Sequence, residues 1–401
     1  MKVKKLLALA LSVSMLAGMS ISSFADSGLT IGSSITNQSE DSLFISSDSV
    51  PSGAEDYAIK IFESLTPTDI SILGIGNNAT EIRLAHGFTV NNTDVLQYYF
   101  PLMENNKIVA IMIVNDHGNS YGFQLGSSEL SDNLNNLETD YNNPAQIYVS
   151  ESAYYCVDKN GVNVLDSIPE ASNEILDAEA KEIENTFNTI QPMHLETTVD
   201  ISSDNVYDAH IKEIEPYTLM GKKHTVACVD NWVYTQNNTT HGTCWASCVG
   251  SLVDYFEDGK ANTTTAKNYR DMAKNEQKNT TGSYSASSSD AVKYINKYSG
   301  SSLTYRRELP SWSTIKSILL TKKAPSGQKG MPFYSHWENL RGTAAHSMVI
   351  CGYHYENTKP NDESYYSIYL MDPNEQTIQL LQYRDSYTVA KELYSWEGSG
   401  R

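Results

Sequence analysis

The stretch that most constrains the fold of this chain is the segment that begins at Cys244. Four apolar residues behind it recur three or four positions apart: Ala246, Val249, Val253 and Phe256. This spacing predicts one buried stripe along a helix. A Gly-Thr pair precedes Cys244, so the cysteine falls in the first helical turn. Cys248 falls one turn deeper, where a small core residue fits.

A cysteine at the start of a helix is favoured as a nucleophile. The unpaired N–H groups and the positive end of the helix dipole stabilise a thiolate there, and the thiolate is the form that attacks a carbonyl carbon. A lone cysteine is more often an inert buried thiol, but Thr243 before Cys244 and Trp245 after it favour the functional interpretation. We therefore take Cys244 as the candidate nucleophile.

The pattern after residue 221 predicts the fold class. Beyond the cysteine helix, three more helical segments are expected at about 263–276, 291–298 and 312–320. They are followed only by strand-like segments, at 331–337, 346–355, 365–371 and 377–383. Helices first and strands second indicate an α+β fold, with the nucleophile helix packed on an antiparallel sheet.

A cysteine nucleophile needs a base, and the base needs a group that orients it. His346 opens a strongly apolar strand, and a strand end is rigid enough to hold an imidazole against a facing helix. His336 and His354 are the rival bases, but each lies inside its predicted strand or at the far end of it. Asp372 ends the neighbouring strand and could accept the imidazole Nδ1–H; the alternative is an ordinary Asp-Pro turn.

These residues match a known family. The order Cys244, His346, Asp372, with Gly-Thr-Cys-Trp-Ala-Ser at the helix start and Ala-His-Ser-Met-Val-Ile-Cys-Gly-Tyr on the strand, resembles papain-like cysteine peptidases. The secreted bacterial staphopain-like and C39-like groups look most similar, and the resemblance covers roughly residues 222–390. It implies a papain-like catalytic domain that hydrolyses peptide bonds in protein or peptide substrates through an acyl-enzyme, without a cofactor or metal ion.

The sequence departs from the family pattern in two places. Plant papains have Asn as the third catalytic residue, whereas the strand that ends at Asp372 closes with an Asp-Pro pair, as in the C39-like group. Asp372 is therefore preferred over Asn374 as the residue that orients His346. The family also places a Gln about six residues before the Cys to complete the oxyanion hole. Here Gln236 lies eight residues before Cys244, with two Asn residues nearer, so Gln236 is the expected donor and a neighbouring Asn is the alternative.

Residues 1–25 predict a secretory signal peptide. Lysines at positions 2, 4 and 5 precede an apolar run that extends to about Met19, and small residues follow up to Ala25. The run is shorter than the ~20 residues that a membrane span needs, and no Cys follows it as a site for lipid attachment. We expect a secreted protein, exported in the manner of Gram-positive bacteria, with no membrane span once the signal is removed.

The distribution of charge divides the rest of the chain. Residues 26–220 carry 31 acidic and 6 basic side chains, whereas residues 221–401 carry 17 acidic and 20 basic ones. This asymmetry predicts two units with different roles, and so acidic a surface excludes nucleic acid as a partner. The expected segments are a flexible leader at 26–53, a small α+β antiparallel-meander pro-domain at 54–190, a linker and processing region at 191–220, and the peptidase domain at 221–401.

The acidic unit looks like the inhibitory propeptide of such peptidases, a resemblance in arrangement and not in a motif. We expect it to cover the neutral-to-basic unit as an intramolecular partner, within a monomer. The alternative is a solvated acidic surface on a secreted protein.

Five cysteines spread over a long exported chain are an odd number, and they do not form the framework of a disulfide-rich protein. A Cys228–Cys248 bridge stays open. No pair has the close spacing of a zinc or redox site, so neither a metal nor a cofactor is expected.

Two other functions are compatible with the pattern. A cell-wall amidase or transglutaminase-like acyltransferase also uses Cys, His and Asp, but the chain has no basic wall-binding repeats. A secreted binding protein could use a peptidase fold without activity, although the complete Cys, His and Asp set argues against it.

Overall fold

The chain combines eight helices and fifteen strands among the residues that the computed structural model describes. These residues are 42–91, 96–118, 120–126, 129–150, 152–158, 160–167, 172–189, 197–211, 224–228, 243–258, 263–304, 311–321, 330–337, 346–356, 366–373 and 377–383. The predicted signal peptide at 1–25 lies outside them. The architecture is α+β with antiparallel sheets, which confirms the predicted class.

Strands dominate the N-terminal half, and four helices separate them among the described residues. Its elements are β1 (Leu43–Ser47), α1 (Ser52–Ser64), α2 (Pro67–Leu73), β2 (Arg83–Leu84), β3 (Phe88–Thr89), β4 (Gln97–Glu104), β5 (Lys107–Asp116), β6 (Tyr121–Gly126), α3 (Glu129–Leu134), β7 (Gln146–Val149), β8 (Ala153–Asp158), β9 (Gly161–Ser167), α4 (Asn173–Thr189) and β10 (Thr197–Ile201). Strands β4, β5 and β6 form the meander that the sequence predicts.

After its first strand, helices precede strands in the C-terminal half, as expected. Its elements are β11 (His224–Cys228), α5 (Cys244–Asp258), α6 (Thr263–Thr281), α7 (Ser288–Ser299), α8 (Trp312–Thr321), β12 (Phe333–Trp337), β13 (His346–Glu356), β14 (Tyr366–Asp372) and β15 (Thr377–Gln382). Helix α5 contacts β12 and β13, so the cysteine helix packs on the sheet.

Local sequence explains where several of these elements begin and end. Asn105 and Asn106 both have positive φ, of 49° and 64°, which suits the tight two-residue turn between β4 and β5. Helix α2 begins with a capping box, in which the Thr66 side chain accepts from the Asp69 N–H and the Asp69 side chain accepts from the Thr66 N–H. It ends at Gly74, whose φ of 67° few other residues adopt readily.

A single ten-stranded sheet joins the two halves of the chain. Its order is β11-β13-β14-β15-β6-β5-β4-β2, with β12 paired to β13 and β3 paired to β4. The junction is the antiparallel pair of β15 and β6, in which Leu380 lies opposite Leu125. The largest buried cluster also takes side chains from both halves, including Phe62 of α1 and Tyr353 of β13. The two units that the charge pattern predicts therefore share a sheet and a core.

Two segments differ from the sequence analysis. Residues 43–47 were expected in the flexible leader and residues 197–201 in the linker, but they form β1 and β10, which pair antiparallel with Leu43 opposite Ile201. Both of these side chains are buried, as is Ile45. The leader and linker predictions are wrong for these residues, because burial against the rest of the N-terminal half stabilises two strands whose sequence context is rich in Ser and Asp. In the other parts of both segments, Ser52 and Gly53 begin α1 and Val206 forms an isolated bridge with Ala85, and the remaining residues are connections or lie outside the described residues.

Candidate active site

Helix α5 places Cys244 at its first position, as the sequence predicts. The first turn closes through bonds to the Thr243 carbonyl, which accepts from the Ala246 N–H at 2.9 Å and the Ser247 N–H at 3.3 Å. The Cys244 side chain is only 6% exposed. The candidate nucleophile therefore lies where free helical N–H groups and the dipole favour a thiolate, and it is covered in the intact chain.

The rest of α5 is fixed by packing on two neighbours. The Trp245 Nε1–H donates to the Tyr284 carbonyl at 3.0 Å, and its ring lies 5.6 Å from that of Tyr294 on α7. A Cβ on Gly250 would lie 2.3 Å from the Ala266 carbonyl oxygen, so α5 and α6 meet at a distance that only glycine allows. The predicted apolar stripe is fully buried. Cys244 therefore begins a rigidly held helix.

Cys248 connects α5 to the first residues of β13. Its thiol donates to the Ser347 carbonyl oxygen at 3.3 Å. Burial raises the pKa of Cys248 well above its ordinary value of 9.0, and the nearby Cys244 and Asp372 raise it further. Cys248 is a free thiol that stays protonated, so the bridge to Cys228 that the sequence left open is not formed.

The Ser347 hydroxyl is held from β12. It lies 2.6 Å from the Tyr334 hydroxyl and 3.2 Å from His336 Nδ1. Burial, followed by the neighbouring Cys248, raises the pKa of Tyr334 well above its ordinary value of 10.0. Because its carbonyl and its hydroxyl are both bound, Ser347 fixes the start of β13 against α5.

His346 is the first residue of β13, directly before Ser347 and opposite Trp337 of β12. Its side chain lies outside the described residues. The rival His336 lies opposite Ser347, at the same end of the strand. The other rival, His354, lies at the far end of β13 and is buried against Asp69 of the N-terminal half. Of the three predicted candidates, His346 and His336 therefore reach the cysteine end of the sheet.

Asp372 ends β14 at the same end of the sheet as His346. Val349 lies opposite Met371, and from this antiparallel pair the chain runs backwards to His346 on β13 and forwards to Asp372 on β14. Asp372 is buried, and its Oδ2 accepts from Gln379 Nε2 of β15 at 3.5 Å. The structure thus brings Cys244, the backbone of His346 and Asp372 to one end of the sheet. Gln236 and Asn374 lie outside the described residues.

A second buried carboxylate, Asp69 on α2, was not singled out from the sequence. Its Oδ2 accepts from the Thr66 N–H and hydroxyl, both at 2.7 Å, and its Oδ1 accepts from His354 Nδ1 at 3.0 Å and from the Tyr369 hydroxyl. Burial alone would raise its pKa, but the charge and bond of His354 and the bonds from Tyr369 and Thr66 hold the pKa below 3.8. Asp69 therefore ties the N-terminal half to β13 and β14.

The missed residues carried only weak sequence signals. The Thr66 to Asp69 spacing predicts a helix cap, which is present, but not the bonds to His354 and Tyr369. Gln379 is a polar residue inside an apolar strand. This pattern indicates a polar side chain that faces inward, but it does not identify the residue to which the side chain bonds.

No protein-family model matches the chain, and no curated protein sequence matches it.

None of the described helices combines the length and apolar character that crossing a membrane requires. Within the described ranges, no three His, Cys, Asp or Glu side chains cluster so as to hold a metal ion.

Proposed function

We propose that the chain is a secreted cysteine endopeptidase of the papain-like type, made as a zymogen with its N-terminal half as the inhibitory pro-domain. The observation that carries the proposal is the Cys248–Ser347 bond, one helical turn from Cys244 and one residue from His346. This bond supports the pairing of a cysteine at a helix start with a histidine at a strand start. Asp372 completes the set from the next strand.

In the proposed reaction, the Cys244 thiolate attacks the peptide carbonyl carbon and forms a tetrahedral oxyanion. The His346 imidazolium protonates the leaving amine, which departs to leave an acyl-enzyme. The neutral imidazole then takes a proton from the attacking water, and the carbon–sulfur bond breaks to release the acid product and restore the thiolate–imidazolium pair. The Asp372 carboxylate holds the imidazole Nδ1–H and steadies its charged form. The Cys244 N–H and Gln236 are the proposed oxyanion donors, each worth about 3 kcal/mol in the transition state.

Three contacts support the pro-domain role of the N-terminal half. Strand β6 extends the sheet beyond β15, Asp69 bonds to His354 and Tyr369, and Gln124 bonds to Gln379 beside Asp372. Because these contacts adjoin the proposed catalytic strands, removal of the N-terminal half would open this edge of the sheet. The activating cut is proposed within 191–220 but outside β10, since a protease needs an unpaired segment.

Substitution of the proposed nucleophile and base tests the catalytic part. Cys244→Ala and His346→Ala should each abolish hydrolysis of a fluorogenic peptide library by the processed protein, whereas Cys351→Ala and His336→Ala should retain it. Cys351 is the matched cysteine control, because it is a buried cysteine on β13 and remains in the processed protein. Activity that survives Cys244→Ala would overturn the assignment. Activity lost in His336→Ala but kept in His346→Ala would show that His336, and not His346, is the base.

The zymogen part has a separate test. Full-length protein should be inactive until a gel shows cleavage, and activity should then rise with the trimmed form. Full-length protein that is as active as the trimmed form before any cleavage would show that the N-terminal half is not an inhibitor.

A further inference from the structure

Two amide side chains, the half-buried Gln124 and the buried Gln379, connect the N-terminal half to Asp372. Gln124 Nε2 on β6 donates to Gln379 Oε1 on β15 at 2.6 Å, and Gln379 Nε2 donates to Asp372 Oδ2 at 3.5 Å. Gln379 is 3% exposed and Asp372 is 5% exposed. Gln379 lies opposite Leu370 and Asp372 opposite Thr377, so Gln379 and Asp372 are diagonal neighbours on one face of the sheet.

The chemistry of the groups gives this chain of bonds one direction. An ionised carboxylate can only accept hydrogen bonds, so Gln379 must present its NH₂ group to Asp372. Its carbonyl oxygen then points towards β6, where it needs a donor, and Gln124 must present its own NH₂ group. With both amides reversed, the Gln379 oxygen would lie against the carboxylate oxygen, which is repulsive.

The N-terminal half also restricts Gln379 by packing. A Cβ on Gly126 of β6 would lie 3.0 Å from Gln379 Cγ, so the glycine leaves room for the Gln379 side chain under the β6 backbone. The side chain is therefore held by bonds at both ends of its amide and by contact along its methylene groups.

We infer that Gln379 is a positioning residue for the proposed peptidase reaction: it anchors Oδ2 of Asp372 so that the carboxylate is oriented to hold His346, and Gln124 of the N-terminal half anchors Gln379 in turn. The inference rests on the proposed function. Gln379 acts only through Asp372. In the intact chain, the N-terminal half thus contributes to the orientation of the Asp372 carboxylate.

The pH dependence of thiol alkylation reports this role. A well-oriented Asp372 stabilises the His346 imidazolium, and the imidazolium stabilises the Cys244 thiolate at pH values below the ordinary range of a thiol. Among the described residues, the other ionisable groups at this end of the sheet are Cys248 on α5 and Tyr334 and His336 on β12. Burial raises the pKa of Cys248 and of Tyr334 well above their ordinary values, so neither titrates between pH 6 and pH 9.

The test is iodoacetamide alkylation of the full-length chain and of the processed protein, quantified at Cys244 by mass spectrometry at pH 6 and pH 9. Gln379→Met keeps the length of the side chain and removes its donor. We expect the alkylation rate at pH 6 to fall about tenfold, as for the loss of a positioning contact, with the rate at pH 9 within about twofold of wild type. Gln124→Met, which leaves Gln379 in place, should give a smaller loss in the same direction. After processing, Gln379→Met should lower kcat about tenfold and leave KM nearly unchanged.

Gln382→Met is the matched control, because Gln382 lies on the same strand and is 2% exposed. It should leave the alkylation profile and kcat unchanged. The inference would be overturned if Gln379→Met gave the same alkylation rates as this control. It would also be overturned if the alkylation rate fell equally at pH 6 and pH 9, because an equal loss indicates general disruption of the fold. If Cys244→Ala is inactive while Gln379→Met is unchanged, this inference alone fails; if Cys244→Ala is active, the proposed function fails.

Discussion

Asp69→Asn tests how firmly the two halves of the chain are joined. The side chain is 0% exposed, and four donors converge on its two carboxylate oxygens, from Thr66, His354 and Tyr369. Asn has nearly the same volume, so the substitution opens no cavity. It removes the charge and replaces one acceptor oxygen by an NH₂ group. In either orientation of the amide, donors face this NH₂ group.

The expected cost follows from that geometry. Removing one partner of a buried charged pair costs about 3–5 kcal/mol, because the remaining polar groups stay buried without compensation. Whole domains are stable by only about 5–15 kcal/mol, so this is a large fraction of the free energy of unfolding. We expect the urea midpoint of the full-length protein to fall by about 1 M, measured by far-UV circular dichroism at pH 7.

The dependence on pH gives a second observable. Because the folded-state pKa of Asp69 is lower than its ordinary value of 3.8, its contribution is present above that value and is lost as the pH falls through the folded pKa. The gap in stability between wild type and Asp69→Asn should therefore narrow below pH 3.8. Mild acid at pH 5 should leave the carboxylate ionised and the two halves joined by this contact.

Asp290→Asn is the control for loss of a carboxylate. Asp290 pairs with Lys293 at 2.8 Å at the surface of α7, and solvent screens the pair. Its loss should cost less than about 1 kcal/mol. The reasoning is refuted if Asp69→Asn lies within about 1 kcal/mol of wild type at pH 7, or if the gap widens as acid is added.

Two further substitutions address the site and the helix that carries it. Asp372→Asn should reduce kcat more than Asn374→Ala, because a carboxylate fixes the imidazole tautomer and steadies its charge; a fully active Asp372→Asn beside an inactive Asn374→Ala would support the plant-type arrangement instead. Gly250→Ala should lower the free energy of unfolding by about 1–3 kcal/mol, since its Cβ would meet the Ala266 carbonyl at 2.3 Å, and an unchanged melting temperature would contradict the tight α5–α6 contact.

The helices and strands of the C-terminal half were predictable because their signals are local. The stripe behind Cys244 has the period of a helix, and it correctly places Cys244 in the first turn and Cys248 in the core. The apolar run after His346 likewise predicts a strand that starts at this residue. Each conclusion needs only neighbours within about ten residues.

What the sequence could not provide is pairing between distant segments. Strand β6 pairs with β15 across roughly 250 residues, and no local pattern specifies that partner. The same holds for Leu43 opposite Ile201, where short strands stand in Ser-rich and Asp-rich surroundings and were assigned to the leader and linker. Charge asymmetry suggested two separate units, but charge reports surface composition and not how cores are shared.

The polar contacts were hidden for a related reason. Asp69 and Gln379 look ordinary in sequence, as a helix cap and a strand residue. Their bonds to His354 and Asp372 depend on how two halves of the chain are packed. Such contacts become visible only when the sheet is assembled.

The most direct measurement is labelling of the processed protein with a peptidyl epoxide, with the modified residue identified by mass spectrometry. The account predicts that one equivalent of the epoxide attaches to Cys244 and that His346→Ala is not labelled. The fraction of peptide hydrolysis lost should equal the fraction of Cys244 that is labelled. Labelling spread over several cysteines, or hydrolysis that persists after Cys244 is fully modified, would contradict the assignment of a cysteine peptidase.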